Sequence, residues 1–260
     1  MNIMDWFSLK GKVAVMTGGA GLYGRQIAAA LAQAGARTYI ASRNLEKLEV
    51  EASKLRAEGY EVYALQVDQG DEASINSLRD EILKREGKVD ILVNNAVLRT
   101  MKSWNDDAER FAESMRINAT GLFMITRALG DVMAKQGRGS IINVGSIQGM
   151  IGPDAVIYKN VGFHGFVPDY FFHKGGMINF TRFAASYYGP SNVRCNCVSP
   201  GGLETESHNR LFVQNYSERT FLGRMANNTD LMGAIVFLSS DASEYVTGTN
   251  LPVDGGYTAK

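Results

Sequence analysis

Short apolar, β-branched runs alternate with amphipathic stretches from one end of the chain to the other. Residues 12–17 (KVAVMT) read as a buried strand, and the Ala-rich stretch 23–34 as a helix closed by Gly35. Strands at 37–41 and 61–67 bracket a charged helix at 45–58, and a helix over 73–85 leads to a strand at 89–93. Helical stretches around 106–117 and 121–136 precede a strand at 140–144. A helix over 175–187, a strand at 193–198, a helix at 231–239 and a short strand at 250–253 finish the series. A sheet with one wet face would alternate apolar and polar positions, whereas unbroken apolar strands separated by helices suit a parallel sheet covered on both faces. The pattern predicts an α/β fold, a doubly wound parallel sheet in a single domain over 1–260. The rhythm breaks at 149–169, where Pro153, Pro168 and several glycines interrupt any periodicity. A long aperiodic loop of this kind is expected to be a functional lid, here an insertion.

Charge narrows the partners. Lys plus Arg number 27, Asp plus Glu also 27, and no block of like charge stands out. Binding to nucleic acid or an anionic membrane needs a basic face, so a small-molecule substrate is expected instead. No apolar run approaches the roughly 20 residues that span a bilayer, and the start of the chain lacks a signal-peptide core. A cytoplasmic location is the expectation. Cys195 and Cys197 are separated by one residue, so on a strand they share a face in poor disulfide geometry. No second Cys or His pair stands at ligand spacing, and no metal site is expected. Reduced core thiols are.

The first strand runs into Thr17-Gly18-Gly19-Ala20-Gly21-Leu22-Tyr23-Gly24. A glycine-rich turn from a first strand into a helix lets backbone approach a pyrophosphate, and the helix N-terminus favours its charge. This gives a Rossmann-type reading and a dinucleotide cofactor, with Gly18, Gly21, Leu22, Tyr23 and Gly24 at its phosphates. The end of the second strand reads Ala41-Ser42-Arg43, with no acid to take the ribose hydroxyls. Ser42 and Arg43 suit a 2′-phosphate, so NADP is expected ahead of NAD, unless Arg43 merely opens the next helix in solvent.

Tyr170 and Lys174 stand four apart at the opening of a helix, hence on one face. A phenol titrates near 10, too high to trade its proton at neutral pH, and a neighbouring ammonium lowers that value. The pair can therefore act as a general acid/base. Ser146 follows the strand at 140–144, at the edge where open α/β sheets bind ligands, and could hydrogen-bond a substrate oxygen or simply cap a turn. Tyr158 is a rival, but Gly162 stands four beyond it and Lys159 beside it, so a place in the lid is the expectation.

Taken together these residues resemble the short-chain dehydrogenase/reductase family along essentially the whole chain. The turn 17–24 resembles its cofactor turn, and Asp68 the residue that contacts adenine. Asn94-Asn95-Ala96 is similar to the motif after its fourth strand. The resemblance implies that Asn118 supports Lys174 through a water, that Ser146, Tyr170 and Lys174 form the Ser and Tyr-x-x-x-Lys, and that Pro200, Gly201 and Thr205 clasp the nicotinamide half. Asn94 and Ala96 join the expected cofactor contacts, as do Tyr170 and Lys174, the resemblance implying that Lys174 holds the nicotinamide ribose, and Asp254-Gly255-Gly256 matches a C-terminal signature. Three features depart from the family pattern. Leu22 stands where the middle glycine is usual, Val97 stands where a glycine closes Asn-Asn-Ala-Gly, and the stretch between Ser146 and Tyr170 is long.

The implied activity is hydride transfer between a nicotinamide cofactor and a carbonyl or alcohol, with a sugar, polyol or hydroxy acid preferred as substrate. Arg99, His164 and His173 are candidates to bind a polar or acidic group, although each could equally be surface or internal polarity. Two competing readings stay open: a non-catalytic nucleotide-binding regulator with a Rossmann shell, and a lyase or epimerase that uses its cofactor transiently. The family implies a homo-oligomer, dimer or tetramer, and Phe180, Phe183, Tyr187 and Tyr188 either offer an apolar face for it or pack on the sheet.

Overall fold

The computed structural model describes residues 2–162 and 165–259; His164 lies outside the described residues. Seven parallel strands form one sheet in the order β3-β2-β1-β4-β5-β6-β7. They are β1 (Val13–Thr17), β2 (Arg37–Ser42), β3 (Val62–Gln66), β4 (Ile91–Asn94), β5 (Gly139–Val144), β6 (Val193–Pro200) and β7 (Asn250–Val253). The order reverses between β1 and β4, which opens a crevice beyond their C-terminal ends.

Neighbouring residues on a strand point to opposite faces, and β1 shows the consequence. Ala14 and Met16 join one core with α1 (Leu22–Gln33), α2 (Leu45–Ala57) and α8 (Met232–Ser239). Val13 and Val15 join the other, with α3 (Glu72–Glu86), α5 (Gly121–Gln136) and α6 (Pro168–Tyr188). Ile27, Ile91, Leu92 and Ile125 are wholly buried, each contributing roughly 2 kcal/mol over an exposed position. Cys195 and Cys197 lie unpaired in this interior, and burial raises the pKa of both thiols.

Three elements differ from the expected pattern. Helix α6 begins at Pro168, inside the expected insertion, because proline at the first helical turn supplies a helical φ and loses no hydrogen bond there. The helix expected over 106–117 is α4 (Ala108–Met115), which continues into α5 through a π-turn at Arg116–Thr120. A short helix, α7 (Arg210–Ser217), follows β6 where no helix is expected. Asn209 caps it, and Phe212 and Tyr216 are its buried positions.

Candidate active site

The turn from β1 into α1 is drawn tight. Gly18 sits at φ +72°, where a Cβ would lie 2.9 Å from Ala96 Cα. At Gly24 a Cβ would come within 2.1 Å of the Gly18 carbonyl oxygen. Asn95 braces the turn by donating from Nδ2 to the carbonyls of Thr17 (3.1 Å) and Gly18 (3.0 Å). Thr17 Oγ1 accepts from the amides of Asn95 (3.2 Å) and Ala96 (3.0 Å). Gly21 caps α1 without a side chain, so the first-turn amides from Leu22 to Gly24 have no carbonyl of their own helix to bond. A cradle that excludes side chains and presents free amides fits a pyrophosphate. Tyr23 donates from its hydroxyl to the Gly201 carbonyl (2.8 Å), joining this turn to the end of β6.

Other expected cofactor residues divide into two groups. Ser42 is half-buried at the end of β2, and Arg43 beyond it is exposed and has no ion pair among the described residues. Asp68 follows β3 and accepts the Gly70 amide on Oδ1 (2.8 Å). Thr205 lies in the segment after β6, its amide bonded to His208 Nδ1 (3.2 Å). Asn94 differs. Its side chain turns into the sheet, donating to Thr126 Oγ1 (3.0 Å) and Asn143 Oδ1 (2.9 Å). Asn95 does the bracing that the motif offers to the turn.

The candidate Ser, Tyr and Lys converge beyond the C-terminal end of β5. Ser146 caps a 3-10 turn at Ile147–Gly149, its Oγ accepting the Gln148 amide (3.1 Å), and it helps to lower the Tyr170 phenol. Lys174 is 2 % exposed, donates to the Val144 carbonyl (2.5 Å) and lies 5.7 Å from the Tyr170 ring centre. Burial pushes the Tyr170 phenol up, but the charges of Lys174 and Arg99, with hydrogen bonds from Ser146 and Arg99, bring it below its ordinary value. Burial pulls Lys174 down, and Arg99 adds repulsion, against the pull of Tyr170 and Cys197. Tyr158 goes the other way. Burial raises it, and it packs with Ile157, Phe166 and Phe212 of α7. One tyrosine is poised to lose a proton and the other to keep it.

Asn118 sits in the π-turn, 3 % exposed. Its Oδ1 accepts from the Leu98 amide (2.8 Å), and its Nδ2 donates to the Leu98 carbonyl (2.7 Å) and Ser114 Oγ (3.0 Å). The π-turn thus ties the segment after β4 to itself and to Ser114 of α4. Arg99 in that segment holds its guanidinium 4.7 Å from the Tyr170 ring centre. His173 is 4 % exposed and meets Tyr170 edge-on at 5.2 Å between ring centres. Burial, then Lys174 and Arg99, push it down to about 3, so it is neutral.

The described residues of the stretch before α6, 149–162 and 165–167, do not hang free. They include a 3-10 turn, Ala155–Tyr158, and Asn215 of α7 donates to the carbonyls of Ile157 (3.3 Å) and Lys159 (3.1 Å). Arg219 pairs with Asp154 at 2.8 Å. The same helix offers the Tyr216 hydroxyl to the Gly202 amide (2.6 Å), just past the expected nicotinamide clasp.

A sequence profile described as enoyl-(acyl carrier protein) reductase matches residues 21–258. The chain belongs to the short-chain dehydrogenase/reductase family. Cyclopentanol dehydrogenase of Comamonas testosteroni is 34% identical over 255 residues, covering 95% of this chain and 97% of that one. Gluconate 5-dehydrogenase of Gluconobacter oxydans is 32% identical, covering 99% of both. A crystal structure of gluconate 5-dehydrogenase from Burkholderia cenocepacia, with NADP and tartrate, superposes with a TM-score of 0.89 at 31% identity over 100% of each chain.

Within the short-chain dehydrogenase/reductase frame, two of the sequence departures are locally harmless. Leu22 begins α1 with its side chain 62 % exposed, and Val97 is 41 % exposed, so neither fills the turn. Sequence reasoning missed the attachment of the stretch before α6 to α7 and the bracing by Asn95. The Arg99 position was legible as a basic residue just past a strand end, but its stacking on Tyr170 was not.

Proposed function

We propose that this short-chain dehydrogenase/reductase oxidises an alcohol or reduces a carbonyl on a small polar molecule (a sugar, polyol or hydroxy acid) with NADP preferred to NAD. The observation that carries the reading is the meeting of Ser146, Tyr170 and Lys174 beside the glycine cradle. When bound, the nicotinamide supplies or takes up the hydride. Ser146 holds the substrate oxygen. Tyr170 gives that oxygen a proton in reduction and takes one in oxidation, and Lys174 keeps the phenol acidic enough for both. Asn118 fixes the strand-end segment and orders the proton's route from Lys174. The lid expected at 149–169 covers the substrate, held by Asn215 of α7 and by Arg219 just past it. A panel of sugars, polyols and hydroxy acids, followed by nicotinamide absorbance with each cofactor, tests the reading. Turnover of none would overturn it.

Arg43 supports the cofactor preference, as does the NADP complex of the Burkholderia relative. A charge-assisted contact contributes roughly 1.5–3 kcal/mol, so Arg43→Ala should weaken NADP binding about 10–100-fold and leave NAD binding nearly unchanged. Titration with both cofactors checks this, and equal losses would refute a phosphate contact.

A homo-oligomer in the cytoplasm completes the reading. Free thiols at Cys195 and Cys197 suit a reducing compartment. On α6, Phe183 and Tyr187 are 64 % and 65 % exposed and stack at 6.2 Å, a costly arrangement for a face left in water. Tyr188, by contrast, is buried and donates to Asp131 (2.9 Å), so it serves the fold. Replacing Phe183 and Tyr187 together by Asp should reduce the mass seen by light scattering to that of one chain; an unchanged mass would move the interface elsewhere.

A further inference from the structure

One cation in the site carries no proton itself, although its charge helps to hold the Tyr170 phenol down. Arg99 is exposed in the segment after β4, yet its guanidinium lies over the Tyr170 ring, 4.7 Å from its centre. Its charge is also felt at Tyr158 on the lid side and at Lys174 beneath. No carboxylate among the described residues pairs with it. Two nearby acids are otherwise placed. Asp154 is held by Arg219, and Asp169 is 1 % exposed in the first turn of α6, facing Thr100. Neutral His173 adds no charge.

An unpaired guanidinium at the reacting hydroxyl would be a poor neighbour for a neutral substrate, since it must lose water without gaining an acceptor of equal strength. A planar carboxylate matches its fork in two parallel hydrogen bonds. A phosphate, at close to two negative charges, would call for a second free cation, and Lys174 is already buried against Val144. We propose that Arg99 is the receptor for a carboxylate on the substrate, which makes short hydroxy acids and their keto acids the substrate class. This inference rests on the dehydrogenase reading. Because the guanidinium lies over the Tyr170 ring, the carboxylate lies only a few bonds from the reacting carbon.

The test uses matched pairs: 3-hydroxybutyrate with its amide, lactate with lactamide, and gluconate with glucitol. The wild-type enzyme should favour the acid in at least one pair by tenfold or more in kcat/KM. In Arg99→Gln that preference should fall on the order of 10–100-fold, with Arg99→Lys between the two. The ratio within a pair cancels any effect of Arg99 on Tyr170, which acts on both partners. Calorimetry should show the favoured acid binding Arg99→Gln about tenfold more weakly, free of any turnover. Equal use of acid and neutral partner by the wild type overturns the receptor while leaving the dehydrogenase reading intact, as does a preference that survives Arg99→Gln. Turnover of neither partner in every pair counts against both.

Discussion

Tyr170→Phe is expected to cut kcat by about 10²–10⁴-fold, the range that one positioned acid/base group supplies. The substitution removes a single oxygen and leaves the ring under Arg99 and beside His173, so the fold and cofactor binding should persist. The wild-type pH profile carries the same information. Alcohol oxidation needs the deprotonated phenol, so activity should rise with pH through the Tyr170 titration and then level off. That rise should fall below the usual value of about 10, because Lys174 and Arg99 hold the phenol down against burial. Lys174→Met removes one of those charges and should move the rise to higher pH. Full turnover by Tyr170→Phe would leave the proposed chemistry without its proton carrier, and Tyr158→Phe would then be the variant to measure.

Gly24→Val should abolish measurable dinucleotide binding and destabilise the protein. Its Cβ would stand 2.1 Å from the Gly18 carbonyl oxygen, inside any tolerable contact and against backbone that Asn95 fixes from the other side. Relief requires α1 to retreat, and the first-turn amides retreat with it. Overpacking of this kind costs about 1–3 kcal/mol in stability, so the melting temperature should fall as binding is lost. Gly233→Ala is the control. A Cβ added there, on α8, would meet no atom within 4 Å, and alanine should be neutral or slightly stabilising. Fluorescence titration with reduced cofactor reads both variants, and an unchanged affinity in Gly24→Val would remove the turn from the cofactor site.

The parts of the fold that could be read from sequence are those where one physical demand dominates. The strand 12–17 and the turn after it were legible because burial on both faces demands unbroken apolar residues and tight turning demands glycine. Tyr170 and Lys174 were legible because helical spacing alone puts them together. Helix α7 was not, since eight residues with Phe212 and Tyr216 as their buried side chains carry too little periodicity, and its stability comes from packing on the lid. The true start of α6 was hidden by Pro168, which reads as a loop residue until it is seen at a helix N-terminus. Asn94 and Asn95 were indistinguishable as letters. The sheet decides that one faces Asn143 inside and the other reaches the turn.

The π-turn at Arg116–Thr120 has a consequence for how this chain can vary. Such a turn holds one residue more than an α-helical turn, and losing that residue would rotate the helix on one side of it by about 100°. Leu122, Ile125 and Leu129 fasten the following helix in the core, so the rotation would fall on the preceding half. Asn118 would then swing off the Leu98 backbone and Ser114 with it, although every amino acid named in the proposed mechanism would still be present. At this spot residue count matters more than residue type: conservative exchanges should be survivable, while excision of any one position should not.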